Sequence, residues 1–519
     1  MCMQIPADLI IENVTVLTMD PLNPTAHGII IKKDKIIGLL DSDTKNWLLA
    51  PDGKRLDGKG MFLLPGLIDA HCHLRAELSK SLSVPCGKED VSSIPELIAA
   101  IRHRALQTPH QEWIRATGYD PFYLEEKRNP TFKELDSATA NHPVRLRHVT
   151  RHASVLNSYA LRLAGINRHS TDPPGVKVDR DPVSNEPTGV VYGADHWLSK
   201  HVISPSKPSE WLTSANQLQS YLLSCGITAL IDATPTNTVA DLDFWLTQMK
   251  NGWPLVLQFM GEEEQHTELS KFHKNKVPDS FRKQLEIGPI KVVMEATPDL
   301  YPDLEELTRI ATVATRNNAS LAIHVVNPEM IWAAVEAIRQ VKEILPQSRS
   351  IYRLEHLSLC PDAFLDDLKN LNIVVVTNPS FIREHGDRYL SAVDSSEHAW
   401  LYRTKSLLDK GIPLAAGSDA PVSSFNPWKG IYSAINRNTL SGQTVAVEEK
   451  INRFQSLQMY TSGAAYSAGW QDCRGMLRPG MQADFILLHE NPLNCPKEHL
   501  IKMKAAQTWI GGTLVYEAY

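Results

Sequence analysis

The middle of the chain alternates short apolar runs, rich in β-branched residues, with longer amphipathic segments. Such runs are typical of buried parallel strands, and segments such as PEMIWAAVEAIRQVKEIL have the apolar spacing of helices. Eight strands alternating with helices predict an α/β fold, a (β/α)8 or TIM barrel. The eight predicted strands lie in LLPGLIDAHCH, GITALIDAT, PLVLQFM, PIKVVME, SLAIHVV, YRLEHLS, NIVVVTN and PLAAGSDA.

The two ends of the chain have a different pattern. Alternating apolar and polar positions with turn-forming residues run through ADLIIENVTVLTMD near the start and through AAQTWIGGTLVYEAY at the end. This pattern is typical of antiparallel strands joined by tight turns. We predict that residues 1–63 and 475–519 combine into one composite β-sandwich domain.

The spacing of the barrel strands is interrupted once. About 150 residues separate the first predicted strand from the second, far more than an ordinary βα loop contains. We predict that this segment, about residues 76–220, is an inserted subdomain over the barrel mouth. The barrel with its insert then occupies residues 64–474.

Composition indicates a soluble protein of several parts. The chain has 519 residues, of which 43% are hydrophobic and 22% charged, with a formal net charge of −6. The net charge is mildly acidic and the sequence has no basic stripe, so we do not expect nucleic-acid binding. No apolar run is long enough to span a membrane. The first residues lack the pattern of a signal peptide. Seven scattered cysteines without CxxC spacing indicate reduced thiols and a cytoplasmic location.

Polar residues end several of the predicted strands, and the active site of a TIM barrel lies at this end. His71 and His73 close the first strand, and alternate residues of a strand point to the same side. Four imidazoles and a carboxylate at one barrel mouth form a ligand set suited to zinc and similar metals. The remaining candidates are Lys291 in the fourth strand, His324 after the fifth, His356 after the sixth and Asp419 after the eighth.

Each candidate also has an ordinary structural interpretation. His324 and His356 are compatible with buried histidines bonded to backbone carbonyls, and Asp419 with the cap of a helix beginning near Ser423. Lys291 is compatible with a side chain that runs along the strand to solvent near Glu295. Because all of them fall at strand ends of one barrel, we favour a metal site.

The motifs PGLIDAHCH and GSDAP, with Lys291, His324 and His356 between them, resemble the amidohydrolase superfamily. HPVRLRHVTRHASVLNSYALRLAGI and NPSFIREHGDRYL look like its amidohydrolase-3 branch, the YtcJ-like proteins related to N-substituted formamide deformylase. The resemblance covers nearly the whole chain.

The resemblance implies a role for each candidate. His71 and His73 would bind the more buried metal together with Asp419, and His324 and His356 a second ion. Lys291 would be carboxylated by CO2 and bridge the ions as a carbamate. The implied cofactors are one or two divalent metals, preferably Zn2+, and Asp419 would also be the catalytic residue that carries the proton.

Three positions of this chain depart from the branch. Relatives usually carry an acidic residue where Gly193 lies, a glycine where Arg151 precedes His152, and an acidic pattern where Asn327 follows the fifth strand. His152, Arg151 and Tyr119, all in the insert, are the candidate substrate contacts. The departures leave the metal ligands intact and leave the substrate open.

The resemblance implies a metal-dependent amidohydrolase acting on carbon–nitrogen bonds other than peptide bonds. The expected substrate is a small amide, an N-acyl or N-formyl amine or a cyclic amide, attacked by a metal-activated water. The alternatives are an esterase, a catalytically inactive scaffold protein and a deaminase of the same superfamily. Lys291 and Asn327 argue against the deaminase. The expected partner is a small molecule, and homo-oligomer formation stays open.

Overall fold

The computed structural model describes residues 5–41, 47–80, 82–203, 211–296 and 299–518. Cys2 lies outside these ranges, and none of the six described cysteines forms a disulfide. The strands are β1 (Ala7–Leu17), β2 (Thr25–Lys32), β3 (Lys35–Leu40), β4 (Leu49–Asp57), β5 (Phe62–Pro65), β6 (Leu67–Cys72), β7 (Val84–Pro85), β8 (Ile114–Tyr119), β9 (Val144–His148), β10 (Ala153–Leu156), β11 (Lys177–Arg180), β12 (Pro187–Tyr192), β13 (Ile227–Asp232), β14 (Val256–Gly261), β15 (Leu285–Val293), β16 (Leu321–Val325), β17 (Tyr352–His356), β18 (Val374–Thr377), β19 (Leu414–Ala416), β20 (Phe485–Leu488), β21 (Gln507–Ile510) and β22 (Thr513–Glu517). The helices are α1 (Leu74–Lys80), α2 (Ile94–Ala105), α3 (Phe132–Ala138), α4 (Ser158–Leu163), α5 (Ala194–His201), α6 (Leu212–Ser224), α7 (Val239–Lys250), α8 (Glu263–Lys276), α9 (Leu304–Arg316), α10 (Pro328–Ile344), α11 (Leu365–Asn370), α12 (Ser380–Ala392), α13 (Lys405–Asp409), α14 (Pro427–Asn436), α15 (Arg453–Met459), α16 (Ser462–Ser467) and α17 (Lys497–Lys502).

Eight parallel strands form a nearly closed barrel, and they are the eight predicted from the sequence. Their spatial order is β6, β13, β14, β15, β16, β17, β18 and β19. Backbone bonds join β6 to the segment after β19, from Asp419 N to His71 O at 2.7 Å and from His73 N to Ala420 O at 2.9 Å. The carboxyl ends of the first and last strands therefore meet.

The barrel strands are apolar because both of their faces are covered. β6, β13, β14 and β16 are buried along their whole length. Small side chains such as Ala70, Ala229 and Ala322 share the core with Ile68 and Ile231. This core fixes the strands whose ends carry the candidate site.

The two ends of the chain share one eight-stranded sheet. Its order is β22, β21, β20, β5, β1, β2 and β3, with β4 also paired to β1. β5 and β20 join the two ends as an antiparallel pair, in which Leu63 lies opposite Leu487. The hydroxyl of Thr508 in β21 donates to the Leu223 carbonyl of α6 at 2.7 Å, which ties the sheet to the barrel.

The chain divides into two compact units. The barrel unit comprises residues 1–73, 216–292 and 308–519, and the insert unit comprises residues 74–215 and 293–307. Sequence patterns did not indicate that the segment after β15 belongs to the second unit. Within the described residues, no helix combines the length and apolarity needed to cross a membrane.

The insert unit is built on a six-stranded sheet of order β11, β12, β10, β9, β8 and β7. One face of this sheet packs against α2 and α3, through residues such as Leu97 and Leu135. The other face packs against α4 and α5 near β10 and β12, through residues such as Leu161 and Leu198.

Candidate metal centre

His71, His73 and Asp419 converge at the carboxyl ends of the first and last barrel strands. Asp419 Oδ1 lies 3.0 Å from His73 Nε2 and 3.5 Å from His71 Nε2. One potential ligand atom from each residue lies within 4.8 Å of the other two. Asp419 also has a φ of 56°, in the left-handed region that aspartate tolerates better than most residues. This group can hold a metal ion.

His356 and His324 extend the group along the mouth of the barrel. The ring of His356 lies 4.8 Å from that of His71 and 4.6 Å from that of His324, measured between ring centres. All four predicted histidines therefore form one continuous cluster. Burial lowers the pKa of His356 to about 3, which favours the neutral ring that a metal requires.

The tautomer of His356 follows from its neighbour Asn378. Asn378 Nδ2 donates to the Gly417 carbonyl at 2.9 Å, so its Oδ1 faces His356 Nδ1 at 2.6 Å. His356 Nδ1 therefore carries the proton and donates it. Its Nε2 keeps a lone pair available for a ligand bond.

A buried carboxylate fixes the tautomer of His71 in the same way. His71 Nδ1 donates to Glu355 Oε2, and Glu355 also accepts from Arg353 Nε at 2.5 Å and from Arg353 Nη2 at 3.0 Å. Burial alone would raise the pKa of Glu355, but Arg353 and Lys291 hold it well below its usual value. Sequence reasoning missed this pair, although two charged residues at alternate positions of an otherwise apolar strand were a signal.

Asp69 links the first strand to the loop that carries Asp419. Its Oδ1 accepts backbone N–H groups of His71 at 3.1 Å and Ser418 at 3.0 Å. Burial raises the pKa of Asp69 to about 6. Asp419 differs, because hydrogen bonds from His71 and His73 outweigh its burial and keep its pKa well below the usual value.

Lys291 is buried in β15, with 3% of its surface exposed, so it does not run out to solvent. Among the described residues, none accepts a hydrogen bond from its Nζ atom. Burial lowers the pKa of this amine to about 8. A cationic amine facing a metal-binding cluster would be repelled by the metal, whereas an anionic derivative would be attracted.

The helices nearby exclude the ordinary interpretation of Asp419 and explain the departure at Asn327. Asn426 caps α14, the first helix after Asp419, by accepting from Trp428 N at 3.0 Å, so Asp419 is not that cap. Asn327 caps α10 by accepting from Met330 N at 2.9 Å. The departure at Asn327 therefore has a structural role.

The candidate substrate contacts all belong to the insert unit. Tyr119 is fully buried in its core, and its hydroxyl donates to Asn129 Oδ1 at 3.1 Å. His152 is half-exposed, with Nδ1 3.4 Å from Glu295 Oε1. Gly193, with a φ of 65°, approaches the Gly175 carbonyl so closely that an added Cβ would lie 2.2 Å from its oxygen. The substrate roles of Tyr119, His152 and Arg151 stay predictions.

Comparison with curated proteins gives similar chains of nearly the same length. The chain is 26% identical to N-substituted formamide deformylase of Arthrobacter pascens over 540 aligned positions, which cover 98% of each chain. It is 23% identical to the putative amidohydrolase YtcJ of Bacillus subtilis, covering 90% of this chain and 91% of that one.

Solved structures share the fold. A metal-dependent hydrolase of Pyrococcus horikoshii superposes with a TM-score of 0.71 at 23% identity, covering 95% of this chain and 99% of its own. Atrazine chlorohydrolase TrzN of Arthrobacter aurescens, solved with zinc, gives 0.57 at 14% identity, covering 98% and 95%. The Amidohydro_3 sequence profile of the amidohydrolase family matches residues 55–516. The chain therefore belongs to the amidohydrolase family.

Proposed function

We propose that this protein is a metal-dependent hydrolase that cleaves a carbon–nitrogen bond outside peptides, in an amide, an N-acyl or N-formyl amine or a cyclic amide. The convergence of His71, His73 and Asp419 at one end of the barrel carries this proposal. The similarity to a formamide deformylase supports the bond type.

The donor set fits one or two divalent ions. His71, His73 and Asp419 would hold the first, and His324 and His356 would contribute to a second. Ring nitrogens together with a carboxylate favour Zn2+. When bound, such an ion lowers the pKa of a coordinated water towards about 7 and polarises a carbonyl oxygen.

Asp419 is the base in this proposal. Its carboxylate takes a proton from the attacking water as the new carbon–oxygen bond forms, and returns it to the nitrogen as the carbon–nitrogen bond breaks. The low pKa of Asp419 keeps the carboxylate ionised. His152, Arg151 and Tyr119 would contact the substrate.

Lys291 would act as a carbamate. Its neutral amine attacks CO2, forms a nitrogen–carbon bond and loses one proton, which leaves an anion with two donor oxygens. The buried Nζ atom without a described partner supports this role, because a carbamate bound to metal would satisfy it.

Metal analysis combined with a substrate screen tests the proposal. Protein stripped by a chelator should be inactive and should recover with one or two equivalents of Zn2+. The panel should contain N-formyl and N-acyl amines, simple amides, cyclic imides and esters. Stoichiometric metal without hydrolysis of any member would favour the inactive scaffold, and preference for esters the esterase.

Asp419→Asn keeps the shape of the side chain and removes the base. Turnover should fall by roughly 10²- to 10⁴-fold while much of the metal content survives. Asp243→Asn, on the exposed side of α7, is the matched control and should change neither. Near-normal turnover of Asp419→Asn would remove Asp419 from the mechanism.

Lys291→Ala should lose at least one equivalent of metal. Small carboxylic acids should then partly restore activity, because they replace the carbamate oxygens. Lys250→Ala, an exposed residue at the end of α7, is the control. Full metal content and activity in Lys291→Ala would reject the carbamate.

A further inference from the structure

One face of the sheet in the insert unit carries arginines on neighbouring strands. Arg115 in β8 lies opposite Arg145 in β9, and Arg147 follows two positions later. Alternate residues of a strand point to the same side, so all three share one face. Buried or half-buried guanidinium groups at this density require anionic partners.

Asp195, in the first turn of α5, is the carboxylate bound by this face. Arg145 Nη2 and Arg147 Nε both contact its Oδ1 atom, the second at 2.8 Å. Arg145 also donates from Nε to Ser154 Oγ at 3.1 Å. The terminal nitrogens of Arg147 make no hydrogen bond with any residue that the structure describes. Two guanidinium groups therefore contact one carboxylate oxygen, and the terminal nitrogens of Arg147 remain available to bind a ligand.

Arg151 adds a further cation, which lies close enough to act electrostatically on Arg145, Arg147 and Asp195. Its φ of 67° is in the left-handed region, which costs most residues roughly 1–2 kcal/mol and suits glycine or asparagine better. In the described part of the chain, its guanidinium forms neither a hydrogen bond nor an ion pair. An arginine at this position is therefore unfavourable for the backbone, and no described side chain forms an ion pair with it that would compensate.

Electrostatics agree with an excess of positive charge. Burial lowers the pKa of Arg147 well below its usual value. The neighbouring Arg145, Arg151 and Arg115 lower this pKa further, whereas Asp195 raises it. Glu295 lies 3.4 Å from His152, and Asp195 and Glu77 act on Arg151 through space without a described ion pair.

We propose that Arg147 and Arg151 form a binding site for the carboxylate of a small molecule. A planar guanidinium presents parallel N–H donors that match the two oxygens of a carboxylate. The site is accessible, since 22% of the Arg147 side chain and 31% of the Asp195 side chain are exposed. The carboxylate is either that of the substrate, which rests on the proposed function, or that of a free acid.

The first experiment needs no catalysis. Succinate is titrated calorimetrically into the intact protein and into Arg151→Asn, since asparagine tolerates the left-handed backbone. Loss of one charge-assisted hydrogen bond should raise the Kd of succinate about tenfold. Arg162→Asn, at an exposed position of α4 in the same unit, should bind like the parent.

The second experiment compares N-formylglycine with N-ethylformamide, which lacks the carboxylate. If the substrate supplies the anion, the ratio of their kcat/KM values should fall about tenfold in Arg151→Asn. An unchanged ratio with weakened succinate binding supports a free acid at the same site. Equal succinate affinity and an equal ratio in both proteins would overturn the proposal, and the first experiment decides even if neither amide is hydrolysed.

Discussion

The barrel unit and the insert unit each bury arginine beside a carboxylate, but the two groups are satisfied to different degrees. Arg353 and Glu355 are both fully buried, and Arg353 also donates to the carbonyls of Ala70 at 2.7 Å and Ser467 at 3.3 Å. Arg145 and Arg147 instead converge on one oxygen of Asp195. The first group has one cation for each anion, and the second has an excess of cations.

The difference indicates what each group can do. Glu355 has no solvent access, and its Oε2 atom accepts hydrogen bonds from His71 and Arg353. Its role is therefore to orient the ring of His71. In the insert unit Arg145 is buried, but 22% of the Arg147 side chain is exposed, and its terminal nitrogens donate to no described residue. A buried ion pair whose donors and acceptors are all bonded can orient the residues of a neighbouring site. An ion pair that leaves donors without hydrogen bonds can itself bind a ligand.

Removing one arginine from each group tests this comparison with the largest expected effect. Arg353→Met removes the ion pair of the buried Glu355, leaves only the electrostatic effect of Lys291, and should lower the free energy of unfolding by about 3–5 kcal/mol. Arg147→Met leaves Asp195 paired to Arg145 and should cost about 1 kcal/mol. Urea unfolding followed by circular dichroism measures both. Equal losses in the two variants would show that the groups are alike.

Glu355→Gln should weaken metal binding while the fold survives. An amide cannot hold the Nδ1 proton of His71 as strongly as a carboxylate, and losing such a partner typically costs about 10- to 100-fold in metal affinity. Competition with a chromogenic chelator measures the Zn2+ affinity without any substrate. Glu286→Gln is a half-buried control in β15, since Glu286 bonds Trp470 rather than a predicted ligand. Unchanged Zn2+ affinity in Glu355→Gln would leave Glu355 with a purely structural role.

The smallest expected effect is the pH dependence of Asp195. Burial alone would raise its pKa, but Arg147 and Arg145 lower it below the ordinary value of 3.8. Its stabilising contribution is therefore complete above pH 3.8 and is lost as the pH falls through the lower value in the folded protein. The difference in unfolding free energy between the parent and Asp195→Asn should be constant from pH 7 to 5 and shrink below. A difference that shrinks already between pH 7 and 5 would contradict the lowered pKa.

Much of the barrel could be predicted because its strands carry a local signal. Each strand is a short run of β-branched or small apolar residues, and the polar residue that ends it marks the barrel mouth. His71 and His73 needed only the alternation of a strand, and Asp419 only the position of the last strand. These signals depend on neighbours in sequence.

The rest depends on contacts between distant segments, which no local pattern reveals. Glu355 bonds a ring 284 positions away, so its role could not be deduced from YRLEH. Residues 293–307 follow a barrel strand but belong to the insert unit. Tyr119 was predicted as a substrate contact, yet its ring is part of the insert core. Its role as a substrate contact stays a prediction.

The way the barrel closes has a consequence for how the protein matures. Asp69 and Ser418, which are bonded at 3.0 Å, lie 349 positions apart, and the proposed ligands His71 and Asp419 come from the same two segments. During synthesis the first two histidines leave the ribosome long before the eighth strand exists. Metal binding by the proposed triad would therefore follow translation of nearly the whole chain, and a truncated product could not complete the triad however much metal is available.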